Sequence, residues 1–425
     1  MRPRRTPHRT PRRSPRNPLR EPSSRLPHRH SLPTRPARRT ALRALALGAL
    51  SCVLAAAPGT ASTHETTGPL AVRIGFVAAL SGEYADYGHD LQNGVQLAID
   101  DANAQGVKIG DQTARFELVS LDDRADPRLG MQAATRLANQ NVAAVVGHFN
   151  SGTAIPASRI YESAGIPMIA PAATNPFLTA QGFANTFTVI SNDAQNAGIA
   201  GAWAVDEIKA RRIAIVDDRS AFGQGEADVF ERTVKAHGGT VVTREFAMSD
   251  AGDTIDFGPQ LARIQAAGTD LLYFGGLARQ AAALVRQMKA HSMNAQFVGG
   301  GGVAFPEFAR LAGTAGEGAL AWEYGRPLAQ LPEGPRFAQR FKRRFGAEVL
   351  AYAPFGYDAA WAAIHAMAAA RSANPEVWRG ALQTLSFDGV TGRIAFDERG
   401  ALRNGASTLY RLKQGAWVPV MTRGG

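Results

Sequence analysis

The chain has 425 residues, 45% of them hydrophobic, with 44 Gly, 24 Pro, one Cys and a formal charge of +11, enough for two or three domains with sizeable cores. Residues 1–64 hold 14 Arg, no Lys and one acid, Glu21, leaving 33 basic and 35 acidic groups in the other 361. The basicity therefore belongs to the N-terminal segment, which argues against a nucleic-acid-binding body, and Cys52 lies in that segment too, so the body has neither an internal disulfide nor a thiolate metal site.

Residues 1–37 are rich in Arg, Pro and His with almost no large apolar side chain, the composition of a disordered segment. Arg38-Arg39, an apolar run over 41–57 broken by Arg43, and Pro58-Gly59-Thr60-Ala61-Ser62 follow in the order of a secretory signal peptide. At about 17 residues the run is shorter than the ~20 that span a bilayer. A lipid anchor at Cys52 is disfavoured because the apolar run continues through Val53 and Leu54. Since 1–37 matches neither a signal nor a domain, translation is expected to start downstream of Met1.

From Leu70 onward short apolar runs alternate with amphipathic stretches. Residues 72–80 read as a strand ending in Ser81-Gly82, and 88–105 as a helix with Leu91, Val95, Ala98, Ile99 and Ala102 on one face. Strand 115–121, helix 127–140, strand 142–146, helix 154–164 and strand 166–169 follow. A second series runs through helix 194–210, strand 212–216, helix 225–237, strand 240–246, helix 258–267, strand 270–274, helix 279–290 and strand 296–298. This alternation, with near-continuous Val/Ile/Leu strands, predicts an α/β protein of two lobes, each a parallel sheet covered by helices on both faces. The last third reads as helices over 336–345, 356–371 and 378–385, then hairpin strands over 390–396, 407–413 and 416–420.

Ligands of open α/β sheets bind beyond the carboxyl ends of strands, and two such loops are rich in small and hydroxyl residues. They are Gly147-His148-Phe149-Asn150-Ser151-Gly152-Thr153 and Ala170-Pro171-Ala172-Ala173-Thr174-Asn175-Pro176. Their backbone N–H groups and the Ser151 and Thr174 hydroxyls suit an anion such as a carboxylate; the competing reading is that both residues merely cap helices. There is no G-x-S-x-G, no H-E-x-x-H and no phosphate loop. His89, His148, His237, His291 and His365 lack metal-ligand spacing, and adjacent loop residues such as His148 and Ser151 rarely form a nucleophile–base pair. The acid pairs Asp100-Asp101, Asp122-Asp123 and Asp217-Asp218 read as caps or solvated groups, and the glycine run 299–302 as a tight loop between lobes. No catalytic residue, metal or cofactor is assigned.

Several phrases then occur together and in order. They are Phe76-Val77-Ala78-Ala79-Leu80-Ser81-Gly82 with Tyr87-Gly88, Asp122-Asp123 with Asp126-Pro127, and Val146-Gly147-His148 with Ser151 and Pro156-Ala157-Ser158. Pro171-Ala172-Ala173-Thr174, Ile213-Ala214-Ile215-Val216 before Phe222-Gly223-Gln224-Gly225, and Tyr273-Phe274-Gly275-Gly276 continue the set. From about Val72 to Val420 the chain resembles the periplasmic Leu/Ile/Val-type solute-binding proteins of ABC importers. The resemblance implies the type I periplasmic binding fold: two Rossmann-like lobes joined by three hinge crossings, with one ligand in the cleft. It places residues 70–190 and 322–394 in one lobe and 191–321 and 395–425 in the other. It also implies a monomer in the periplasm, acting with a small-molecule ligand and a membrane permease; an extracytoplasmic ligand sensor is the alternative on the same fold.

Carried over position by position, the resemblance matches Ser151, Ala172 and Thr174 to the residues that hold a ligand carboxylate. Tyr87 matches a side-chain-pocket aromatic, Phe222 stands where relatives often have tyrosine, and Tyr352 falls at another wall position. Two positions depart from the pattern. Gly301 replaces the acid that pairs with a ligand ammonium, and Leu277 replaces a polar or aromatic contact. The implied disulfide positions hold Ala125 and Asn150. Burying an ammonium without an anionic partner costs several kcal/mol, so two expectations stand side by side. In one the ligand is a carboxylate without an α-ammonium, or an amide; in the other Glu323 or Asp218 supplies the missing charge.

Overall fold

The computed structural model describes residues 68–247 and 255–425; the basic leader, the signal-like run and Cys52 lie outside the described residues. The first series is β1 (Leu70–Ala78), α1 (Ala85–Gln105), β2 (Lys108–Ile109), β3 (Gln112–Asp122), α2 (Pro127–Asn139), β4 (Ala144–Gly147), α3 (Ser151–Ser163), β5 (Met168–Ala170), α4 (Phe177–Ala180) and β6 (Thr186–Thr188). The second is α5 (Asp193–Asp206), β7 (Arg212–Asp217), α6 (Ala221–Ala236), β8 (Thr240–Phe246), α7 (Gly258–Ala266), β9 (Leu271–Gly275), α8 (Ala278–Ala290), β10 (Gln296–Gly299), α9 (Pro306–Ala312) and β11 (Leu320–Tyr324). The chain ends with α10 (Gly334–Phe345), α11 (Ala353–Ala369), α12 (Pro375–Gln383), β12 (Ser386–Gly389), β13 (Gly392–Ala395), β14 (Ser407–Lys413) and β15 (Ala416–Arg423).

Two main sheets result, with strand orders β2-β3-β1-β4-β5-β6 and β15-β14-β11-β10-β9-β7-β8. Each contains a parallel block of five, β3-β1-β4-β5-β6 and β8-β7-β9-β10-β11, in the same doubly wound order 2-1-3-4-5. The expectation of parallel sheets needs one amendment. β2 adds antiparallel to the first sheet, and β14 and β15 add antiparallel to the second. The terminal hairpin thus covers the edge of β11, which would otherwise present unpaired backbone groups.

Helices cover both faces, as strands buried on both sides require. α1 and α11 lie on one face of the first sheet over Phe76 and Phe116, and α2 and α3 on the other, where their Leu137 and Tyr161 pack in one cluster with Val77. In the second sheet Trp203, Phe230, Tyr273 and Trp322 form one core layer, with Phe230 and Tyr273 stacked at 3.7 Å. Each fully buried large apolar side chain contributes roughly 1.5–3 kcal/mol. α11 is apolar almost all round and lies against α1 so closely that a Cβ on Gly94 would sit 2.0 Å from the Ala353 carbonyl oxygen.

The chain passes between the sheets three times, after β6, after β11 and before β14. One carbonyl gathers the three passages. The oxygen of Ala406 accepts from the Ser191 hydroxyl at 2.9 Å and from the Gly325 N–H at 2.8 Å. The division anticipated at 321/322 falls inside β11, whose five residues all pair within the second sheet. Residues beyond 395 also stay beside the first sheet for a while: Gly400 accepts from the Thr188 N–H, and Phe396 packs on Phe187.

Candidate functional site

In the order 2-1-3-4-5 the crevice lies where successive connections leave the sheet on opposite faces. In the first sheet that point separates the carboxyl ends of β1 and β4; in the second it separates those of β7 and β9. The loops at these two points face each other. The Tyr87 hydroxyl donates to the Gly302 carbonyl at 3.2 Å, Gln280 Nε2 to the Tyr84 hydroxyl at 3.2 Å, and Asn175 Nδ2 to the Ala221 carbonyl at 2.6 Å. The loops of the first sheet are therefore closed against those of the second.

Five of the eight anticipated site residues line one small cavity of about 20 Å³: Ser151, Ala172, Phe222, Leu277 and Tyr352, together with Phe149, Asn150 and Tyr324. That volume holds about one water, so an organic solute enters only if the two walls part. Tyr324 and Tyr352 also wall a neighbouring cavity of about 420 Å³ that extends past Glu323 and Arg326. The other three anticipated residues sit just behind the small cavity. Tyr87 is buried, stacked on Phe305 at 3.9 Å and tilted against Phe149 at 5.3 Å. Thr174 reaches the lining through Tyr324, whose hydroxyl lies 3.2 Å from Thr174 Oγ1. Gly301 packs under the Tyr324 ring, where a Cβ would come within 2.1 Å of an aromatic carbon. No acid fits at 301 while Tyr324 holds that place.

The capping alternative for Ser151 and Thr174 does not hold. α3 follows Asn150 with no side-chain cap, and at α4 the side chain that accepts from the first N–H, Phe177, is Asn175 at 2.9 Å, not Thr174. The Ser151 hydroxyl instead accepts from the Asn175 N–H at 3.2 Å, joining the two hydroxyl-rich loops. Both residues are buried, and the first turn of α3, which Ser151 opens, lies at the same rim with the positive end of its dipole. Tyr352 is placed from α1: the Asp90 carboxylate accepts from the N–H groups of Leu350, Ala351, Tyr352 and Ala353 at 2.7–3.1 Å. His148 points away from the cavity, fully buried, with Nδ1 2.9 Å from Asp123 and Nε2 3.1 Å from the Tyr161 hydroxyl. Asp123, Asp217 and Asp218, anticipated as caps or solvated acids, are all buried.

The acids named as replacements at 301 are both committed to backbone. Glu323 accepts from Gly302 at 2.9 Å and Ala304 at 2.6 Å, and burial raises its carboxyl to about 7. Asp218 accepts from Ser220 at 2.9 Å, and burial raises it to about 6. Two further acids were not anticipated, Asp193 at the start of α5 and Glu226 on α6. Both are 0% exposed and next to Tyr324. Burial raises Asp193 to about 7, and burial together with the nearby Asp193 carboxylate pushes Glu226 well above the carboxylate range. The signal for both was in the sequence: each continues an apolar helical stripe, Asp193 with Ala197, Ala200 and Ala204, and Glu226 with Gly223, Phe230 and Val234. Among the described residues no group of three His, Cys, Asp or Glu is arranged to hold a metal ion, and no helix is long and apolar enough to cross a membrane.

A family model described as periplasmic binding protein matches residues 71–416. The Leu/Ile/Val-binding protein homolog 1 of Brucella melitensis biotype 1 is 34% identical over 81% of this chain and 91% of its own length. The leucine-, isoleucine-, valine-, threonine- and alanine-binding protein of Pseudomonas aeruginosa is 32% identical over 80% of this chain and 89% of its own. Among solved structures, a leucine binding protein from Thermotoga maritima superposes with a TM-score of 0.76 at 25% identity, over 83% of this chain and 98% of that one. An ABC transporter substrate-binding protein from Desulfitobacterium hafniense in complex with Leu does so with a TM-score of 0.68 at 26% identity, over 82% and 100%.

Proposed function

The chain belongs to the periplasmic binding protein family, and from that premise we propose that it captures a small carboxylate-bearing solute of the branched-chain amino acid kind between its sheets and delivers it to the permease of an ABC importer. The observation that carries this reading is the pair of facing switch points. On one wall the Ser151 and Thr174 hydroxyls and the opening turn of α3 form an anion-binding rim. On the other, Phe222 and Leu277 supply apolar surface, and Tyr352 and Phe149 complete the side-chain end.

Closure without chemistry suffices for this task. The rim takes the carboxylate while the walls are apart, the second sheet swings over, and water leaves the apolar end. The ligand shifts the equilibrium only as far as it binds the closed arrangement better than the open one. The carbonyl of Ala406, which ties all three passages, marks where that swing bends. Work outside the cytoplasm follows from family membership; export through the leader, cleavage after the 41–57 run and a monomeric state belong to the same proposal. Calorimetric titration with L-leucine, L-isoleucine, L-valine and L-phenylalanine tests the reading. Micromolar or tighter binding of at least one amino acid, or of its deaminated acid, is expected; no heat from any of them would refute it.

A further inference from the structure

Helix α6 places a charged residue where its register calls for an apolar one. Glu226 lies on the buried stripe with Gly223, Ala227, Phe230 and Val234, and is 0% exposed. A buried carboxyl there is costly unless something pairs with it. Its Oε1 accepts from the Gly301 N–H at 2.7 Å and lies 3.5 Å from the Tyr324 hydroxyl. Its Oε2 accepts no hydrogen bond among the described residues, and the Tyr273 hydroxyl beside the carboxyl is likewise without a hydrogen-bond partner there. Asp193 shows the same deficit. Its Oδ1 accepts from the Tyr324 hydroxyl at 2.8 Å, and its Oδ2 has no partner among the described residues.

These two acids and Thr174 Oγ1 surround a single phenolic hydroxyl, which offers one donor. An alkylammonium offers three donors and a positive charge. Burial and mutual repulsion hold protons on this pair in the free protein, and an ammonium seated against it favours the ionised form, so binding releases a proton. The glycine loop is shaped around the same groups: a Cβ on Gly300 would fall 2.1 Å from Glu226 Oε2, and one on Gly301 would fall 2.1 Å from the Tyr324 ring. Tyr324 has somewhere to go, since its side chain also borders the cavity of about 420 Å³.

We propose that Glu226 and Asp193 form the ammonium subsite of the ligand in place of an acid at position 301, with the Tyr324 hydroxyl occupying that subsite until the ligand displaces it. The proposal rests on the solute-capture reading above and narrows it: the ligand is an α-amino acid, and the deaminated acid or amide is rejected. The groups that face the pair from neighbouring elements are Glu323 and Tyr324 on β11, Tyr273 on β9, Asp218 after β7 and Tyr352 before α11.

The test is calorimetry on the wild-type protein and on Glu226→Gln and Asp193→Asn, with thermal melts to establish that each variant folds. The probes are the four amino acids named above and their deaminated counterparts, such as 4-methylpentanoate for leucine. Glutamine keeps the acceptor for the Gly301 N–H, so the fold is expected to survive; if one variant does not fold, the other carries the test. The wild-type protein is expected to favour the amino acid over its deaminated partner by about 100-fold or more, and either variant to lose about that factor for the amino acid only. Proton release on amino acid binding, read from titrations in buffers of different ionisation enthalpy, is expected in the wild-type protein and reduced in the variants. A wild-type protein that binds the amino acid while both folded variants bind it equally well overturns the ammonium subsite and leaves solute capture standing. Preference for the deaminated acid overturns it too. Silence toward every probe overturns solute capture itself.

Discussion

The two walls of the cleft share one topology and carry opposite chemistry. Both are built on the order 2-1-3-4-5 and present their switch-point loops to the same crevice. The wall of the first sheet offers the Ser151 and Thr174 hydroxyls, the opening turn of α3 and the loop at Ala172, all suited to an anion. The wall of the second offers Glu226, Glu323 and Asp218 around a glycine loop, with Leu277 and Phe222 as its apolar part. Topology sets where the two walls meet; in the site proposed above, a zwitterion would bridge the walls and so favour the closed arrangement, whereas a ligand with one charged end would engage one wall only.

The contrast can be broken most severely from the first wall. Asp90→Ala strands four backbone N–H groups that now share one carboxylate. A loss of about 3 kcal/mol or more in stability is expected, with weakened ligand binding because Tyr352 is no longer fixed. A melt unchanged from wild type would remove Asp90 from the account.

Thr174→Ala comes next, at ~1–3 kcal/mol of affinity, measured as the change in dissociation constant for whichever amino acid binds. An unchanged constant would reduce Thr174 to a packing residue.

The pH dependence sharpens the contrast from the second wall. Burial holds Asp193 up to about 7, Glu323 up to about 7 and Asp218 up to about 6. The folded protein therefore keeps protons that the unfolded chain, titrating near ~4, has released. That contribution to stability is fully present below ~4 and is lost as pH rises through about 7. Ligand-free protein is expected to melt progressively lower from about pH 5 to pH 8, and Glu226→Gln to flatten the trend. Amino acid affinity should run the other way, weakening as pH falls below about 7 because the ammonium needs an ionised partner. A melting temperature that rises over the same interval would contradict the burial of these acids.

Much of the frame is legible in the sequence because buried parallel strands leave near-continuous apolar runs, as in Ile213-Ala214-Ile215-Val216. The hydroxyl-rich loops after β4 and β5 were legible for the same reason, since strand, loop and helix follow one another with clear breaks. β11 was not. Its sequence, Leu320–Tyr324, carries Glu323 in mid-strand, and only the fold reveals that this acid serves the Gly302 and Ala304 N–H groups. Missing that strand meant missing Tyr324 and shifting one lobe boundary into it. The expected start of α6 at Gly225 is four residues late. Ser220 caps the Gly223 N–H and the helix begins at Ala221, with Glu226 on the buried stripe of Gly223, Phe230 and Val234. Asp193 and Glu226 are legible only as charges that continue apolar helical stripes.

A crystal structure of the protein with its bound amino acid tests the central claim most directly. The carboxylate is expected within hydrogen-bonding distance of Ser151 and Thr174, the ammonium against Glu226 and Asp193, and the Tyr324 ring moved toward the larger cavity. A ligand seated wholly in that larger cavity, with the Tyr324 hydroxyl still on Asp193, would contradict the claim.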